Sequence, residues 1–213
     1  MNQKKAAQNY FLDCQGPFRS QADIVLASAS PRRQALLASL GICFQIVPAR
    51  FKEPPAKPGQ TPEEYALRMS GEKAAEIAAR KPGSLIIAAD TIVIHDEVIM
   101  GKPVSESHAL EMLSRLQGCT HRVITAVNII SGNRKQTRSF TCETLVEMVQ
   151  AGNDTLKKYI ETGEPRDKAG AYAIQGTGAF LISSIQGSYT NVVGLPLAQV
   201  WTVLLEMEAV RSC

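Results

Sequence analysis

The spacing of apolar and polar positions along the chain predicts an α/β protein. Short continuous apolar runs indicate buried strands, and apolar residues spaced by three and four indicate helices. Strands and helices alternate along most of the sequence, which is typical of an α/β sheet. Strands are predicted at 24–26, 43–47, 85–89, 92–94, 98–100, 122–130, 137–149 and 180–185, and helices at 31–40, 62–80, 105–117, 154–161 and from 195 onward.

The turn between the first strand and the first helix has an unusual composition. Ser30 is a strong N-cap residue, and Pro31 suits the first helical position, where its missing N–H is no loss. Arg32 and Arg33 then lie in the first helical turn, where the helix dipole favours anions and disfavours cations. With Ser28, these groups form a place where a phosphate or polyphosphate could bind. A solvated helix start, or an arginine paired with an acidic neighbour, would leave the same pattern.

Two charged residues occupy positions where charge is costly. Residues 61–64 form a capping box that opens the second helix, and Lys73 falls in the middle of its apolar stripe. An ammonium there must be paired or must snorkel to an open cleft. Asp90 and Thr91 follow the apolar run 85–89, which predicts that the carboxylate stands at the end of a buried strand as a metal ligand or general base.

Further candidates lie in turns and loops. Lys102 stands between Gly101 and Pro103, Glu53 lies in a proline-rich loop, and Asp167–Lys168 opens a charged segment. Gln175 follows that segment, and its amide can donate and accept at once, as base recognition requires. The alternatives are an exposed turn lysine, a solvated glutamate and a glutamine bonded to backbone.

Composition narrows the choice of partner and compartment. The 213 residues suit a single domain, preceded by a polar tail at 1–23, and a net charge of +3 gives no argument for nucleic acid. The five cysteines are scattered, odd in number and without C-x-x-C spacing, so neither a zinc site nor a disulfide framework is indicated. We therefore expect a reducing, cytoplasmic location, with no membrane segment and no nucleic-acid partner.

The candidate residues taken together favour chemistry on a polyphosphate. The three histidines share no motif with a serine or cysteine, so no nucleophile with a paired base is evident. Many cations with a few carboxylates suit a metal-bound polyphosphate, where catalysis consists of charge neutralisation and positioning of water. The sequence thus predicts a nucleotide hydrolase.

At this point the chain resembles a known family. The motifs LASASPRR, EKA, AADTIV, GKP, DKAGAYxIQG and GSYxNVVGLPL occur in this order between residues 24 and 207, and they are similar to those of the Maf nucleoside triphosphate pyrophosphatases. The resemblance implies one catalytic domain at 24–210, with an elongated mixed sheet flanked by helices, two lobes and a central cleft, related to the inosine triphosphate pyrophosphatases. It also implies a homodimer, a divalent cation such as Mg²⁺ or Mn²⁺, and cleavage of the substrate to a monophosphate and pyrophosphate.

The resemblance also implies a substrate. Arg32, Thr91 and Gln175 are similar to the subtype that takes dTTP and UTP, whereas the subtype for 7-methyl-GTP carries tryptophan, glutamine and glutamate at these places. A role in clearing the nucleotide pool and in arresting cell division follows from the same resemblance. The alternatives are a pyrophosphatase for 7-methyl-GTP or CTP, and a nucleotide- or RNA-binding regulator of division without turnover.

Residue roles follow from the same motifs. Asp90 would be the general base or a metal-associated carboxylate, and Glu53 would be a second acidic ligand of the metal. Phosphate would be clamped by Arg33, Lys73 and Lys102. The remaining substrate-binding candidates are Ser30, Arg32, Thr91, Asp167, Lys168 and Gln175.

Overall fold

The computed structural model describes the backbone at 10–11 and residues 16–51, 53–132 and 135–212. Most of the tail predicted at 1–23 therefore lies outside the described residues. The strands are β1 (Tyr10–Phe11), β2 (Phe18–Ser20), β3 (Ile24–Leu26), β4 (Phe44–Ile46), β5 (Leu85–His95), β6 (Val98–Met100), β7 (Thr120–Ser131), β8 (Gln136–Met148), β9 (Ile182–Gln186) and β10 (Val210–Ser212). The helices are α1 (Pro31–Ala38), α2 (Pro62–Arg80), α3 (Glu106–Leu116), α4 (Asn153–Glu161), α5 (Tyr189–Val193) and α6 (Leu197–Glu206), with 3-10 turns at Glu164–Asp167, Ala169–Ala171 and Thr177–Leu181.

The main sheet is mixed and follows the order β1-β4-β3-β5-β7-β8-β9, with β6 paired to β5. β3 runs parallel to β4 and β5, and the other pairs of this sheet are antiparallel. The predicted mixed α/β sheet flanked by helices is confirmed. The two lobes, the domain bounds and the relation to inosine triphosphate pyrophosphatases stay predictions.

Helices cover both faces of the parallel part of the sheet. On one face, Leu37 of α1 and Leu204 of α6 are in one buried cluster with Ile87 of β5. On the other face, Ile77 of α2 is buried with Ile86 of β5. Each such side chain contributes about 1.5–3 kcal/mol when fully buried. The run at 85–89 is therefore apolar throughout because its strand is covered on both sides.

The strand that carries Asp90 is longer than predicted. We predicted that it ends at residue 89, but β5 continues to His95, and Asp90 pairs with Ala126 of β7. The strand continues because it pairs with β7 without a break from Leu85 to Ile94, whereas on its other edge β3 pairs only as far as Ile87 and β6 begins to pair at Val93. Asp90 thus lies mid-strand, at a gap in the pairing of that edge.

A second correction concerns residues 187–191, which we predicted as a turn. They lead into the helix α5, whose N-cap Ser188 accepts a hydrogen bond from the backbone N–H of Asn191. The five-residue helix is too short to leave a periodic apolar stripe in the sequence. It brings Asn191 into the buried interior beneath the sheet.

β2 and β10, which lie near the two ends of the described chain, form a small ribbon. β10 pairs antiparallel with β2. The centroids of the Phe18 ring and of the Trp201 ring on α6 lie 3.8 Å apart. β2 belongs to the segment predicted as a polar tail, so part of that segment packs against the C-terminal helix. Sequence patterning does not show this, because a three-residue strand has too few positions to alternate.

The described cysteines differ in their bonding. Cys119 and Cys142 are free, but Cys43 is disulfide-bonded, which the cysteine spacing does not indicate. Spacing along the chain does not tell which cysteines approach within bonding distance in the fold.

No helix in the ranges that the structure describes has the length and apolar content to cross a membrane.

Candidate active site

A cavity of about 450 Å³ opens beside the unpaired edge of β5. Its walls come from the start of α1, the loop after β4, helix α2 and the segments around residues 101 and 170. This volume lies within the range of about 300–1,000 Å³ that is usual for small-molecule sites. The predicted site residues all line it, namely Ser30, Arg32, Arg33, Glu53, Lys73, Asp90, Thr91, Lys102, Asp167, Lys168 and Gln175.

Lys73 joins two carboxylates at one side of the cavity. Its Nζ lies 2.6 Å from Asp90 Oδ1 and 2.6 Å from Glu53 Oε1. The side chain of Lys73 is 14% exposed and that of Asp90 is 7% exposed, whereas Glu53 is 47% exposed. Pairing, one of the two explanations left open for a lysine on an apolar stripe, is therefore what the structure shows.

The same contacts determine the charge of Glu53. Burial raises the pKa of this carboxyl, but the hydrogen bond from Lys73 and the charges of Lys73, Lys102 and Arg33 lower it further, and the net shift is downward. Glu53 is consequently ionised at neutral pH. The cavity thus presents negative oxygen atoms beside a larger number of cations.

The donor set can be compared with the needs of a divalent cation. Among the described residues no group of three or more His, Cys, Asp or Glu side chains is placed to hold a metal. Glu53 and Asp90 nevertheless converge on a single point, because both contact the same ammonium nitrogen. Mg²⁺ commonly takes one or two carboxylates and completes its shell with water and substrate phosphates. The two carboxylates fit that arrangement.

Strand alternation sends Asp90 and Thr91 to opposite faces of β5. Asp90 faces α2 and contacts Lys73, while Thr91 faces α1, where its Oγ1 accepts a hydrogen bond of 3.0 Å from Arg33. Thr91 Oγ1 also lies 2.9 Å from Thr125 Oγ1 on β7. The Thr91 hydroxyl therefore contacts Arg33 and Thr125, and its contact with a base stays a prediction.

Arg33 is held by several neighbours at the start of α1. Its Nε donates to the carbonyl of Gly194 at 2.7 Å, and its backbone N–H donates to the N-cap hydroxyl of Ser30 at 3.5 Å. Burial lowers the pKa of this guanidinium, and the charge of Asp90 opposes that shift. The bonds that hold the side chain orient its charge into the cavity before any ligand arrives.

Arg32, Asp167 and Lys168 form a second charged group across the cavity. Arg32 lies 3.9 Å from Asp167, which also contacts the ammonium of Lys168. Burial raises the pKa of Asp167, yet Lys168 and Arg32 lower it further, so the net shift is downward. One alternative explanation for the two arginines was an ion pair with an acidic neighbour, and Arg32 has such a neighbour in Asp167.

Lys102 and Gln175 are exposed, and neither side chain has a hydrogen bond or ion pair with the rest of the described chain. Arg32, which lines the same cavity, is directed to Asp167 and not to the amide of Gln175. The reason is charge, since a carboxylate attracts a guanidinium more strongly than an amide does. Both free side chains line the cavity and are available to a ligand.

Sequence reasoning missed the residues that support Thr91 from behind. Thr125 Oγ1 donates to the carbonyl of Asn191 at 3.0 Å, and Asn191 Nδ2 donates to Thr144 Oγ1 at 2.9 Å. These three residues are buried. Thr125 stands in an otherwise apolar part of β7, which signals a buried polar residue but does not name its partners, and Thr144 and Asn191 carry no such signal.

A buried histidine lies behind the cavity wall. His121 is 2% exposed, and its Nε2 lies 2.7 Å from the hydroxyl of Tyr172, which lines the cavity. Burial and, secondarily, the charge of His95 lower the pKa of His121 from 6.5 to about 4. The His121 ring is therefore neutral in the folded protein at neutral pH.

We expect this histidine to destabilise the protein in acid. Unfolding restores the higher pKa, so the unfolded chain binds the extra proton between pH 6.5 and about 4 and stability falls as the pH falls through that window. The loss from this residue is on the order of 3 kcal/mol. Urea unfolding at pH 7 and pH 4.5 measures it, and His121→Gln should flatten the dependence while His108→Gln should not. Equal pH dependence in all three proteins would contradict the prediction.

The chain belongs to the Maf-like protein family, whose model matches residues 23–207. It is 45% identical to the dTTP/UTP pyrophosphatase of Nitratidesulfovibrio vulgaris, over 92% of this chain and 93% of the relative. It is also 46% identical to the dTTP/UTP pyrophosphatase of Geobacter sulfurreducens, over 83% of this chain and 92% of that relative. The family predicted from the motifs is confirmed.

Proposed function

We propose that this protein is a nucleoside triphosphate pyrophosphatase that hydrolyses dTTP and UTP to the monophosphate and pyrophosphate. The observation that carries the proposal is the cluster of Lys73, Glu53 and Asp90, joined at 2.6 Å in a cavity whose lining also includes Arg32, Arg33, Lys102 and Lys168. The names and high coverage of the relatives support the choice of substrates.

The chemistry assigned to each group follows from its charge and position. Arg33, Lys73 and Lys102 neutralise the polyphosphate and so lower the cost of the negative charge that moves onto the leaving pyrophosphate. Asp90 accepts a proton from the attacking water. The oxygen of that water forms a bond to the α phosphorus. At the same time the bond breaks between the α phosphorus and the oxygen that bridges it to the β phosphate, and pyrophosphate leaves.

A divalent cation, Mg²⁺ or Mn²⁺, would be held by Glu53 and Asp90 together with phosphate oxygens. When bound, it supplies further neutralisation of the phosphate charge. Because the ammonium of Lys73 contacts both carboxylates, it keeps the two ligands close together before the cation enters. This role rests on the fit of the carboxylates described above.

A panel of nucleoside triphosphates tests the proposal. The purified protein is incubated with dTTP, UTP, CTP, dATP, GTP and 7-methyl-GTP, each with Mg²⁺ or Mn²⁺ and again with a chelator, and released pyrophosphate is assayed. We expect the highest kcat/KM with dTTP and UTP, and no turnover with the chelator. A preference for CTP or 7-methyl-GTP would overturn the substrate assignment, and binding without any pyrophosphate would favour a non-catalytic regulator.

Gln175→Glu is expected to weaken turnover of dTTP and UTP and to narrow their margin over CTP. Uracil and thymine present an acceptor at O4 beside a donor at N3, which an amide answers with one donor and one acceptor. A carboxylate only accepts, so it leaves O4 unpaired but suits the amino group of cytosine. A lost bond of this kind lowers kcat/KM by about 10-fold to 100-fold.

The control for that variant is Gln186→Glu, an exposed change on β9 away from the cavity. It introduces the same charge, and we expect it to leave the ratio of dTTP to CTP turnover unchanged. An unaltered ratio in Gln175→Glu as well would show that this amide does not read the base.

Three further statements are proposals, of which the location is drawn from the scattered cysteines and the other two from the family resemblance. They are assembly as a homodimer, a cytoplasmic location, and removal of unwanted pyrimidine nucleotides with an effect on cell division. Light scattering tests the dimer and fractionation of cells tests the location. Deletion of the gene, followed by measurement of nucleotide pools and cell length, tests the last.

A further inference from the structure

The backbone on the C-terminal side of Gln175 is held by a single carboxylate. Glu164 Oε1 accepts a hydrogen bond of 3.0 Å from the backbone N–H of Thr177, and Glu164 Oε2 accepts one of 2.7 Å from that of Gly178. Glu164 opens the 3-10 turn Glu164–Asp167, more than ten positions earlier in the chain. None of the candidate roles assigned above uses this residue.

The N-terminal side of Gln175 is tied to the same carboxylate through a tyrosine. The backbone N–H of Ala173 donates to the hydroxyl of Tyr159 at 3.2 Å, and Tyr159 is 2% exposed. Burial and a hydrogen bond to Glu164 both raise the pKa of Tyr159. Because the phenol stays protonated, it accepts from Ala173 and donates to Glu164. One carboxylate therefore connects the backbone before and after Gln175.

The carboxylate also sits directly against the residue that follows Gln175. Gly176 has a φ of 84°, and a Cβ built there would lie 2.2 Å from Glu164 Oε1. Only glycine fits both the backbone conformation and the space. The turn around Gln175 is thus shaped by its contact with Glu164.

Gln175 itself has nothing else to orient it. Its side chain is exposed and has no hydrogen bond to the part of the chain that is described. The direction in which its amide points therefore depends on the backbone to which it is attached. That backbone is held by Glu164 on one side and by Tyr159 on the other.

We propose that Glu164 is a positioning residue for base selection, which acts by holding the backbone turn that presents Gln175 to the pyrimidine ring. The inference rests on the proposed role of Gln175 in reading the base. Glu164 also accepts from Lys168 through its backbone carbonyl, with Nζ at 3.3 Å, so it contacts two segments of the cavity wall. It does not itself line the cavity, and we assign it no contact with substrate.

The two oxygens of a carboxylate are what this arrangement requires. An amide of the same shape has one acceptor oxygen, and its NH₂ group would face a backbone N–H. Glu164→Gln therefore keeps the volume of the side chain but loses one of the two bonds to Thr177 and Gly178. The turn is released on one side without the creation of a cavity.

The test compares Glu164→Gln with Glu161→Gln, which makes the same change at an exposed residue on α4. The constants kcat and KM are measured for dTTP and CTP, together with Tm. For Glu164→Gln we expect KM for dTTP to rise by about 10-fold, and the ratio of kcat/KM for dTTP to that for CTP to fall by a similar factor. We expect kcat to change little, because the groups around Asp90 are untouched.

The same substitution in a second variant distinguishes a positioning role of Glu164 from a purely structural one. If Glu164 acts through Gln175, then Glu164→Gln should have no further effect on the dTTP to CTP ratio in a protein that already carries Gln175→Ala. An equal fall of the ratio in both backgrounds would overturn the inference. A lowered Tm with a wild-type ratio would do the same, because it would show a purely structural role.

Binding of the products separates this inference from the proposed reaction. Calorimetry with dTMP and CMP reports base selection without any turnover. If the protein hydrolyses no triphosphate but prefers dTMP, and Glu164→Gln removes that preference, the pyrophosphatase proposal fails and the inference stands. Equal preference in the wild-type protein and the variant, or no binding of either nucleotide by the wild-type protein, overturns the inference.

Discussion

Replacement of Asp90 by asparagine is expected to lower kcat for dTTP by about 10²-fold to 10⁴-fold, the usual range for loss of a general base. The amide has nearly the same shape as the carboxylate but cannot accept a proton at neutral pH. It also removes a negative charge that lies 2.6 Å from Lys73. Steady-state release of pyrophosphate, measured with saturating dTTP and Mg²⁺, gives the size of the loss.

The fold should survive this change. Asp90 lies in the middle of β5, where its backbone pairs with Ala126, and asparagine makes the same backbone bonds. Lys73 keeps its contact with Glu53. The circular dichroism spectrum is therefore expected to match that of the wild-type protein. The Tm is expected to fall only slightly, because the ion pair between Lys73 and Asp90 is lost.

Asp96→Asn is the matched control for Asp90→Asn. Asp96 lies between β5 and β6 with its side chain 78% exposed, and its φ is 49°, a conformation that asparagine adopts readily. We expect this variant to hydrolyse dTTP at the wild-type rate. A nearly native rate in Asp90→Asn would place the proton acceptor elsewhere.

Local signals made the starts of α1 and α2 predictable. The hydroxyls of Ser30 and Thr61 accept from the N–H three residues later, as their capping sequences indicate, and Pro31 and Pro62 occupy the first helical positions. These contacts lie within one turn, so the sequence carries them. The continuation of β5 through Asp90 was not predictable in that way. It depends on the unbroken pairing with β7, which is a property of the sheet.

The candidate site was predictable to the extent that its residues stand in costly places. Lys73 on an apolar stripe and Asp90 inside an apolar strand each signal a partner, and the structure places them in contact with each other. The identity of supporting partners was not predictable. Thr91 and Thr125 are 34 positions apart in the chain, and only the pairing of β5 with β7 sets them opposite one another.

Glu164 illustrates the same limit. Its motif position between Gly163 and Pro165 suggests only a turn. Its importance comes from backbone N–H groups that are 13 and 14 residues away. Backbone groups leave no trace in a side-chain pattern, so a residue that binds them cannot be recognised from sequence spacing.

Lys73→Met and Lys102→Met are expected to differ in their effects, because the two ammonium groups have different surroundings. Lys73 is 14% exposed and contacts Asp90 and Glu53, whereas Lys102 is exposed. Methionine preserves most of the apolar stem and removes the charge. We therefore expect both variants to lose kcat/KM, and only Lys73→Met to lose stability as well.

The loss of stability in Lys73→Met follows from the groups left behind. Asp90 Oδ1 loses its partner while its side chain remains 7% exposed, and an unsatisfied buried group costs about 1–3 kcal/mol. The lysine also lowers the pKa of Glu53, so its removal raises that pKa toward the value that burial favours. Urea unfolding at neutral pH measures the change in free energy.

The kinetic comparison decides between phosphate binding and the simpler roles. Lys102 has no hydrogen bond or ion pair with the described chain, so Lys102→Met should raise KM or lower kcat with an unchanged Tm. Lys158→Met, which removes an exposed charge on α4, is the control and should change neither constant. A fall in kcat equal to that in kcat/KM would locate the lost interaction in the transition state. Unchanged kcat and KM in both variants would mean that Lys73 serves only to pair the two carboxylates and that Lys102 is an ordinary turn residue.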